Sequence, residues 1–362
     1  MIEISAKKWA RCACVLLAAL IGGMALLTYI VDPYFHFHKP FSGVKYRLYE
    51  QRYINDGISR HFEYDAVITG NSLSENTKTT EFDELFGANS IKLPYSGAGF
   101  KELWSSLDRT LSYNQNVKKV LVFMDYDDIA RSKDYVRYKE YPEYLYDENP
   151  WNDVSYLWNK EIFYHGTLFH LLMTITGRES TTFDEYSSWQ KGTGAEVVMP
   201  LVGDILTSDE ITELEYTSEK ESMVIENIEE NVVSVIDRYP EVEFYIAYCP
   251  PSIAKWCLYN NKGEVEYRID SVETATELLL QKENVKLYSF MTDYDVVCDL
   301  NNYSDTIHYT SEINAYMLRC IAQEEKRLTK DNYKDHIDEM KDFYVGYNYQ
   351  SLAIDDQNLI VK

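Results

Sequence analysis

One serine and one histidine in this chain have surroundings suited to proton transfer. The stretch DAVITGNSLSENT, 65–77, carries an apolar run from Ala66 to Ile68, stops at Thr69-Gly70, and then presents Asn71-Ser72. A serine just past a buried strand stands at the carboxyl edge of a sheet and opens the next turn. There its own backbone N–H can help hold an oxyanion. A serine hydroxyl is a weak nucleophile without a base. DLNNYSDTIHYTSEIN, 299–314, supplies one, because Asp305 and His308 form D-x-x-H directly before a final helix. A carboxylate three residues ahead of an imidazole can take its Nδ1–H, which fixes the tautomer and leaves Nε2 to accept a hydroxyl proton. The other six histidines lack this setting: His36 and His38 lie in an aromatic segment, His61 before the first strand, His165 and His170 in a long insertion, and His336 in the tail. Ser74 competes with Ser72 but has no glycine ahead of it. Singly, each residue has a plainer role, Ser72 as a turn cap, Asp305 as a turn residue and His308 as a structural hydrogen-bonder. Together and in this order they predict a triad of Ser72, Asp305 and His308.

A triad drawn from both ends of a domain needs elements that return the chain to one edge. Short β-rich runs recur at Ala66–Thr69, Ser90–Leu93, Lys119–Met124, Val242–Tyr248 and Val285–Phe290. Helical periodicity separates several of them, at Ser218–Arg238, at Ser271–Lys282, and from a Thr310 cap to about Arg327. Strand runs without polar alternation, spaced by helices, indicate an α/β fold with a parallel sheet covered on both faces. Such sheets place ligands at the carboxyl ends of their strands. Asp125 to Asp209 breaks the rhythm with many Tyr and Trp residues, Trp189 among them, and reads as an insertion forming a lid or wall, or a helical subdomain with its own aromatic core. The tail from 330 to 362 holds one amphipathic helix around Tyr333–Phe343.

The order of strand, Gly70-Asn71-Ser72, parallel αβ units and a last Asp305-x-x-His308 resembles the SGNH/GDSL hydrolase superfamily. The resemblance covers roughly residues 64–327, with the insertion unmatched. It implies a three-layer α/β/α domain at 61–329, with a parallel five-stranded sheet in flavodoxin-like order and the insertion at about 125–209. It places the nucleophile at Ser72 and the oxyanion donors at the N–H groups of Ser72 and Gly97, the latter in LPYSGAGF after the second strand, with Gly99 the second choice. It leads us to expect substrate contacts from Asn71, Tyr126 and Tyr309. FYIAYCPPS, 244–252, adds a narrower similarity to membrane-anchored relatives of the D-alanyl-lipoteichoic-acid biosynthesis protein and the alginate-type O-acetylation proteins. One departure stands out. The family's third block usually supplies an Asn side chain to the oxyanion, and here that place reads VFMDYDDIA, with Asp125, Asp127 and Asp128. An ionised Asp cannot donate a hydrogen bond. Either backbone N–H groups near Asp125 replace the Asn or the oxyanion hole is poorer.

The composition bounds the setting. The chain has 362 residues, of which 45% are hydrophobic, and carries a net charge of −24. From Cys12 to Val31 there is no charge, and 20 residues span about 30 Å, the thickness of a hydrocarbon core. Lys7, Lys8 and Arg11 precede this run, so the positive-inside rule keeps residues 1–31 as a cytoplasmic tip and single-pass anchor and puts the rest outside the cell. A cleaved signal peptide is the rival, but its apolar region is usually shorter and no A-x-A site ends this one. Residues 32–60 form an aromatic juxtamembrane segment. The outer part is strongly acidic and lacks basic clusters, which excludes nucleic-acid binding. Cys249, Cys257, Cys298 and Cys320 allow three disulfide pairings, and the sequence does not choose among them. No H-E-x-x-H or outer C-x-x-C occurs, so no metal site and no cofactor are expected.

The resemblance implies serine-dependent transfer of an O-acetyl or D-alanyl group to a cell-envelope glycopolymer such as teichoic acid or exopolysaccharide, with a membrane-bound O-acyltransferase as partner. An acyl-ester hydrolase with the same triad is the first rival. A non-catalytic glycopolymer-binding or scaffold protein on the same fold is the second.

Overall fold

The computed structural model describes residues 6–138, 141–147 and 149–353. The chain falls into two compact units, each made of two segments: residues 1–63 with 140–182, and residues 64–139 with 183–362.

The second unit is built on a mixed sheet. Its strands are β1 (Ala66–Gly70), β2 (Ser90–Pro94), β3 (Lys119–Met124), β4 (Glu243–Tyr248), β5 (Val285–Ser289) and β6 (Arg327–Leu328). The order is β2-β1-β3-β4-β5-β6, and the first five are mutually parallel. Nearly every residue of β1 to β5 is buried, which explains why these strands read as unbroken apolar runs. Helices Thr79–Phe86 and Ser311–Ala322 pack beside each other, and Phe100–Tyr113, the Ser218–Ile236 helical run and Val265–Leu279 form a second group. The chain leaves β1 toward β2 and then crosses back past β1 to β3. The carboxyl ends of β1 and β3 therefore flank a topological switch point, where open α/β sheets bind ligands.

The expectation of a purely parallel five-stranded sheet needs correction. A sixth, two-residue strand pairs antiparallel with β5, Leu287 opposite Leu328 and Tyr288 opposite Arg327. The last helix, expected to run to Arg327, ends at Ala322. Glu324 and Lys326 take positive φ, Glu325 N–H donates to Cys320 O (2.8 Å) and Ser289 N–H to Lys326 O (3.0 Å), so the chain turns back onto the sheet edge. The charged run QEEKR gave no glycine or proline to mark that stop.

The first unit contains an apolar helix, Ala6–Val31, long enough to cross a membrane. The C-terminal half of this helix packs into its own unit. Trp158 Nε1–H donates to Ile21 O (3.2 Å), Thr167 Oγ1–H to Thr28 Oγ1 (3.3 Å) and Tyr46 O–H to Val31 O (2.9 Å). Asp32 follows, fully buried, and its carboxylate accepts from His36 N (3.0 Å), Phe37 N (2.7 Å), His38 N (3.0 Å) and Tyr156 Oη (2.8 Å). It acts as the clamp that turns the chain out of the helix. All six cysteines are free thiols, so none of the three possible pairings of Cys249, Cys257, Cys298 and Cys320 is formed.

Asp32→Ala strips these buried donors of their acceptor, and the expected cost to the first unit is on the order of 3 kcal/mol. Denaturant unfolding of the full chain in micelles, followed by limited proteolysis at 32–60, measures it.

Candidate active site

The local sequence brings β1 to an abrupt end. A Cβ at Gly70 would lie 2.9 Å from Phe123 O of β3, so only glycine lets the two strands keep their spacing here. Asn71 then caps a single 3₁₀ turn, Ser72–Ser74, with its Oδ1 accepting from Leu73 N–H (3.1 Å). Ser74 is fully buried and its hydroxyl donates to Asn71 O (2.8 Å), which removes it as a competing nucleophile. Ser72, half-buried, points the other way. Its Oγ lies 2.7 Å from His308 Nε2.

His308 sits on a loop held from several sides. Asp305 Oδ2 lies 2.6 Å from His308 Nδ1, and Asp305 Oδ1 accepts from the N–H groups of Ile307 (2.9 Å) and His308 (2.8 Å). Burial alone pushes the Asp305 carboxyl up, but the side-chain and backbone hydrogen bonds from His308 and Ile307 outweigh it and hold the group at about 2. The carboxylate is therefore ionised throughout the working range and fixes Nδ1–H toward itself, leaving Nε2 as acceptor for the Ser72 proton. The Pro-Pro-Ser after β4 secures this loop. Ser252 Oγ donates to Thr306 O (2.7 Å), and Tyr303 Oη to Pro250 O (3.1 Å). The helix after the loop grips the serine turn. Asn314 Nδ2 donates to Leu73 O (3.1 Å) and Thr77 Oγ1 (3.0 Å), and Tyr309 Oη to Leu73 O (3.4 Å).

Trp189 completes the wall. Its ring meets the His308 ring edge to face at 5.6 Å. Its Nε1–H donates to Glu75 Oε2 (2.9 Å) and its backbone N–H to Asn76 Oδ1 (2.8 Å), both residues just beyond the Ser72 turn. Glu75 is steadied in turn by buried Lys92, whose Nζ donates to Glu75 O (2.6 Å). Burial, resisted by Asp184 and then Glu75, lowers the Lys92 ammonium to about 8.

Gly97 lies in a turn closed by Ala98 N–H to Tyr95 O (2.9 Å), with φ +66°, a conformation that favours glycine. Tyr95 N–H donates to Gly70 O (2.9 Å), so this turn is tied to the exit of β1. Gly99 begins the next helix, with Leu103 N–H donating to its carbonyl (3.0 Å). At the end of β3, Asp125 is buried. Its Oδ2 accepts from Asn71 Nδ2 (2.8 Å) and its Oδ1 from Asp127 N–H (3.0 Å). Burial, with Asp127 beside it, raises the Asp125 carboxyl. Asp128 N–H donates to Asp125 O (3.2 Å), so the N–H groups of 127 and 128 both serve Asp125 and are not spare oxyanion donors. Asp127 itself is neutralised by Lys255 (2.8 Å), Arg268 (3.4 Å) and the Tyr259 hydroxyl.

The expected substrate contacts are corrected by their surroundings. Tyr126 is 2% exposed, with its hydroxyl on that of Tyr259 (3.0 Å), and Tyr309 is equally buried against Leu73. Both are core residues. Asn71 uses both ends of its amide inside the protein, as cap and as donor to Asp125. Sequence reasoning gave Trp189, Ser252 and Asn314 no role at this site. No spacing rule links 189 to 308 or 252 to 306, because those contacts arise only when separate loops converge.

No protein-family model matches the chain, and no curated protein does. A solved structure from Streptococcus pneumonia, described as "a putative platelet activating factor", matches at 14% identity, covering 79% of this chain and 91% of that chain, with a TM-score of 0.38.

A serine-reactive fluorophosphonate is expected to label the full chain at Ser72, with labelling abolished by Ser72→Ala and by His308→Ala. Asp305→Asn is expected to slow it about 10³-fold or more by releasing the ring tautomer. The folded Asp305 carboxyl is depressed to about 2, so its contribution to stability is complete above the ordinary carboxylate range and is lost only as pH falls from about 4 through 2. Trp189→Ala lowers the rate about 10-fold by freeing the His308 ring, and Trp189→Phe recovers part of it.

Proposed function

We propose that this chain is a membrane-anchored serine acyl-transfer enzyme acting on an oxygen ester outside the cell. The observation that carries the reading is the run of contacts from Ser72 Oγ through His308 to Asp305, at 2.7 Å and 2.6 Å, at the carboxyl edge of a largely parallel sheet. In the proposed cycle Ser72 Oγ attacks the acyl carbonyl carbon while its proton passes to His308 Nε2. The carbonyl π pair moves onto oxygen, and the N–H groups of Ser72 and Gly97 receive that charge. Collapse expels the alcohol, which takes the proton from His308, and leaves an acyl ester on Ser72. A second hydroxyl then gives its proton to His308 and attacks the ester. The reverse sequence frees Ser72.

The acceptor we propose is a hydroxyl of a cell-envelope glycopolymer such as teichoic acid or exopolysaccharide. The acyl group is O-acetyl or D-alanyl, and a membrane-bound O-acyltransferase delivers it. This assignment rests on the resemblance of Gly70-Asn71-Ser72 and Asp305-x-x-His308 to the SGNH pattern. The apolar helix Ala6–Val31, with Lys7, Lys8 and Arg11 in its first turns, supports a cytoplasmic N-terminus and an outer catalytic unit.

The test incubates the full chain in micelles with p-nitrophenyl acetate, with and without a purified acceptor glycopolymer. Mass spectrometry is expected to find acetyl on the Ser72 peptide and then on the polymer, and neither with Ser72→Ala. Acetate release without polymer acetylation would assign the same residues to a hydrolase instead.

A further inference from the structure

We propose that the Arg137 guanidinium supplies the oxyanion donor that Asp125 cannot. The inference rests on the Ser72 reading above. A tetrahedral oxyanion needs preorganised donors, and removing one costs about 100-fold or more in rate. The end of β3, beside the serine turn, offers an acceptor instead. The Asp125 carboxylate is already committed to Asn71 and to the Asp127 N–H, and the Asp128 N–H is used as well.

The chain after β3 brings a cation beside the Gly97 turn. Arg137 Nη1 lies 3.2 Å from the point a Cβ on Gly97 would occupy, and the Tyr138 hydroxyl lies 3.1 Å from the same point. The bare Cα of Gly97 thus leaves room for the guanidinium at the residue whose N–H is assigned to the oxyanion. The Tyr138 ring, 5.8 Å from Arg137 Cζ, adds a cation–π contact that restricts the arm.

The charge pattern points the same way. This chain holds 59 Asp and Glu against 35 Lys and Arg. Arg60, Arg131, Arg238, Arg268 and Arg327 each sit within 4 Å of a carboxylate. Among the described residues Arg137, like Arg47, Arg178 and Arg319, has no such partner, although acids are abundant. A guanidinium beside the Gly97 turn can answer a negative charge that arises there during reaction. A guanidinium offers five N–H donors and no acceptor, so it fills the donor role whatever the protonation of Asp125. In the balanced step, the carbonyl π pair that moves onto oxygen when Ser72 Oγ bonds to carbon is met by an Arg137 N–H. No proton leaves Arg137, and the contact is released when the pair reforms the carbonyl.

The test uses the full chain in micelles and p-nitrophenyl acetate, a neutral ester. Thermal unfolding midpoints confirm that each variant is folded. Arg137→Gln is expected to lower kcat about 100-fold at unchanged KM and unchanged pH profile, and added guanidinium ion is expected to restore part of the activity of Arg137→Gly. A folded Arg137→Gln with unaltered kcat overturns the donor role. So does an effect confined to the KM of anionic esters, which would make Arg137 a reader of substrate charge. If Ser72→Ala matches the unsubstituted chain, the Ser72 reading itself fails and the donor role falls with it.

Discussion

The hydrogen bond between Ser72 Oγ and His308 Nε2 joins two residues 236 positions apart. Neither side chain could find the other without the sheet. β1 delivers the hydroxyl and the segment after β5 delivers the imidazole, and parallel pairing through β3 and β4 makes both exit at the same edge. The final approach is fixed by second contacts. Asn314 and Tyr309 attach the imidazole side to Leu73 O, one residue beyond Ser72, and Ser252 holds the His308 loop from β4. A few tenths of an ångström at the site are thus governed by amide and hydroxyl groups that never face the cleft.

Four aspartates around the switch point show how environment sets the role of one residue type. Asp305 has donors on both oxygens and stays ionised to about 2. Asp127 is met by Lys255 and Arg268 and is also held below the usual range despite burial. Burial, then Asp125, pushes Asp128 up to about 8, against the Arg131 charge. Asp125 is raised as well, with only neutral donors in direct contact. The positive charge of the region is therefore concentrated on Asp127.

Much of the fold was legible because buried parallel strands leave a direct trace, as in Ala66 to Ile68 and Val120 to Met124. The meeting of Ser72, His308 and Asp305 was legible for a related reason: a serine after Gly70 and a D-x-x-H before a helix both fall at strand exits of one parallel sheet. What stayed hidden depended on tertiary decisions. Tyr126 and Tyr309 carry polar tips that suit a cleft, but their rings fill core space and their hydroxyls find partners there. The stop at Ala322 and the two-residue β6 follow from backbone bonds to Cys320 and Ser289, not from any local breaker. The aromatic insertion read as one block, yet residues 140–182 pack with the first 63 residues while Trp189 belongs to the sheet unit.

That division of the chain has a consequence for how the molecule is made. Each unit is assembled from two stretches with the other unit's residues between them. Ribosomal synthesis runs from the N-terminus at roughly 5–20 residues per second. Ser72 emerges early, but His308, its hydrogen-bond partner, follows 236 residues later. For an interval on the order of ten seconds or more the nascent polypeptide carries the hydroxyl without the imidazole. The contact between them forms as one late event, when the segment after β5 has been made and docks beside β1.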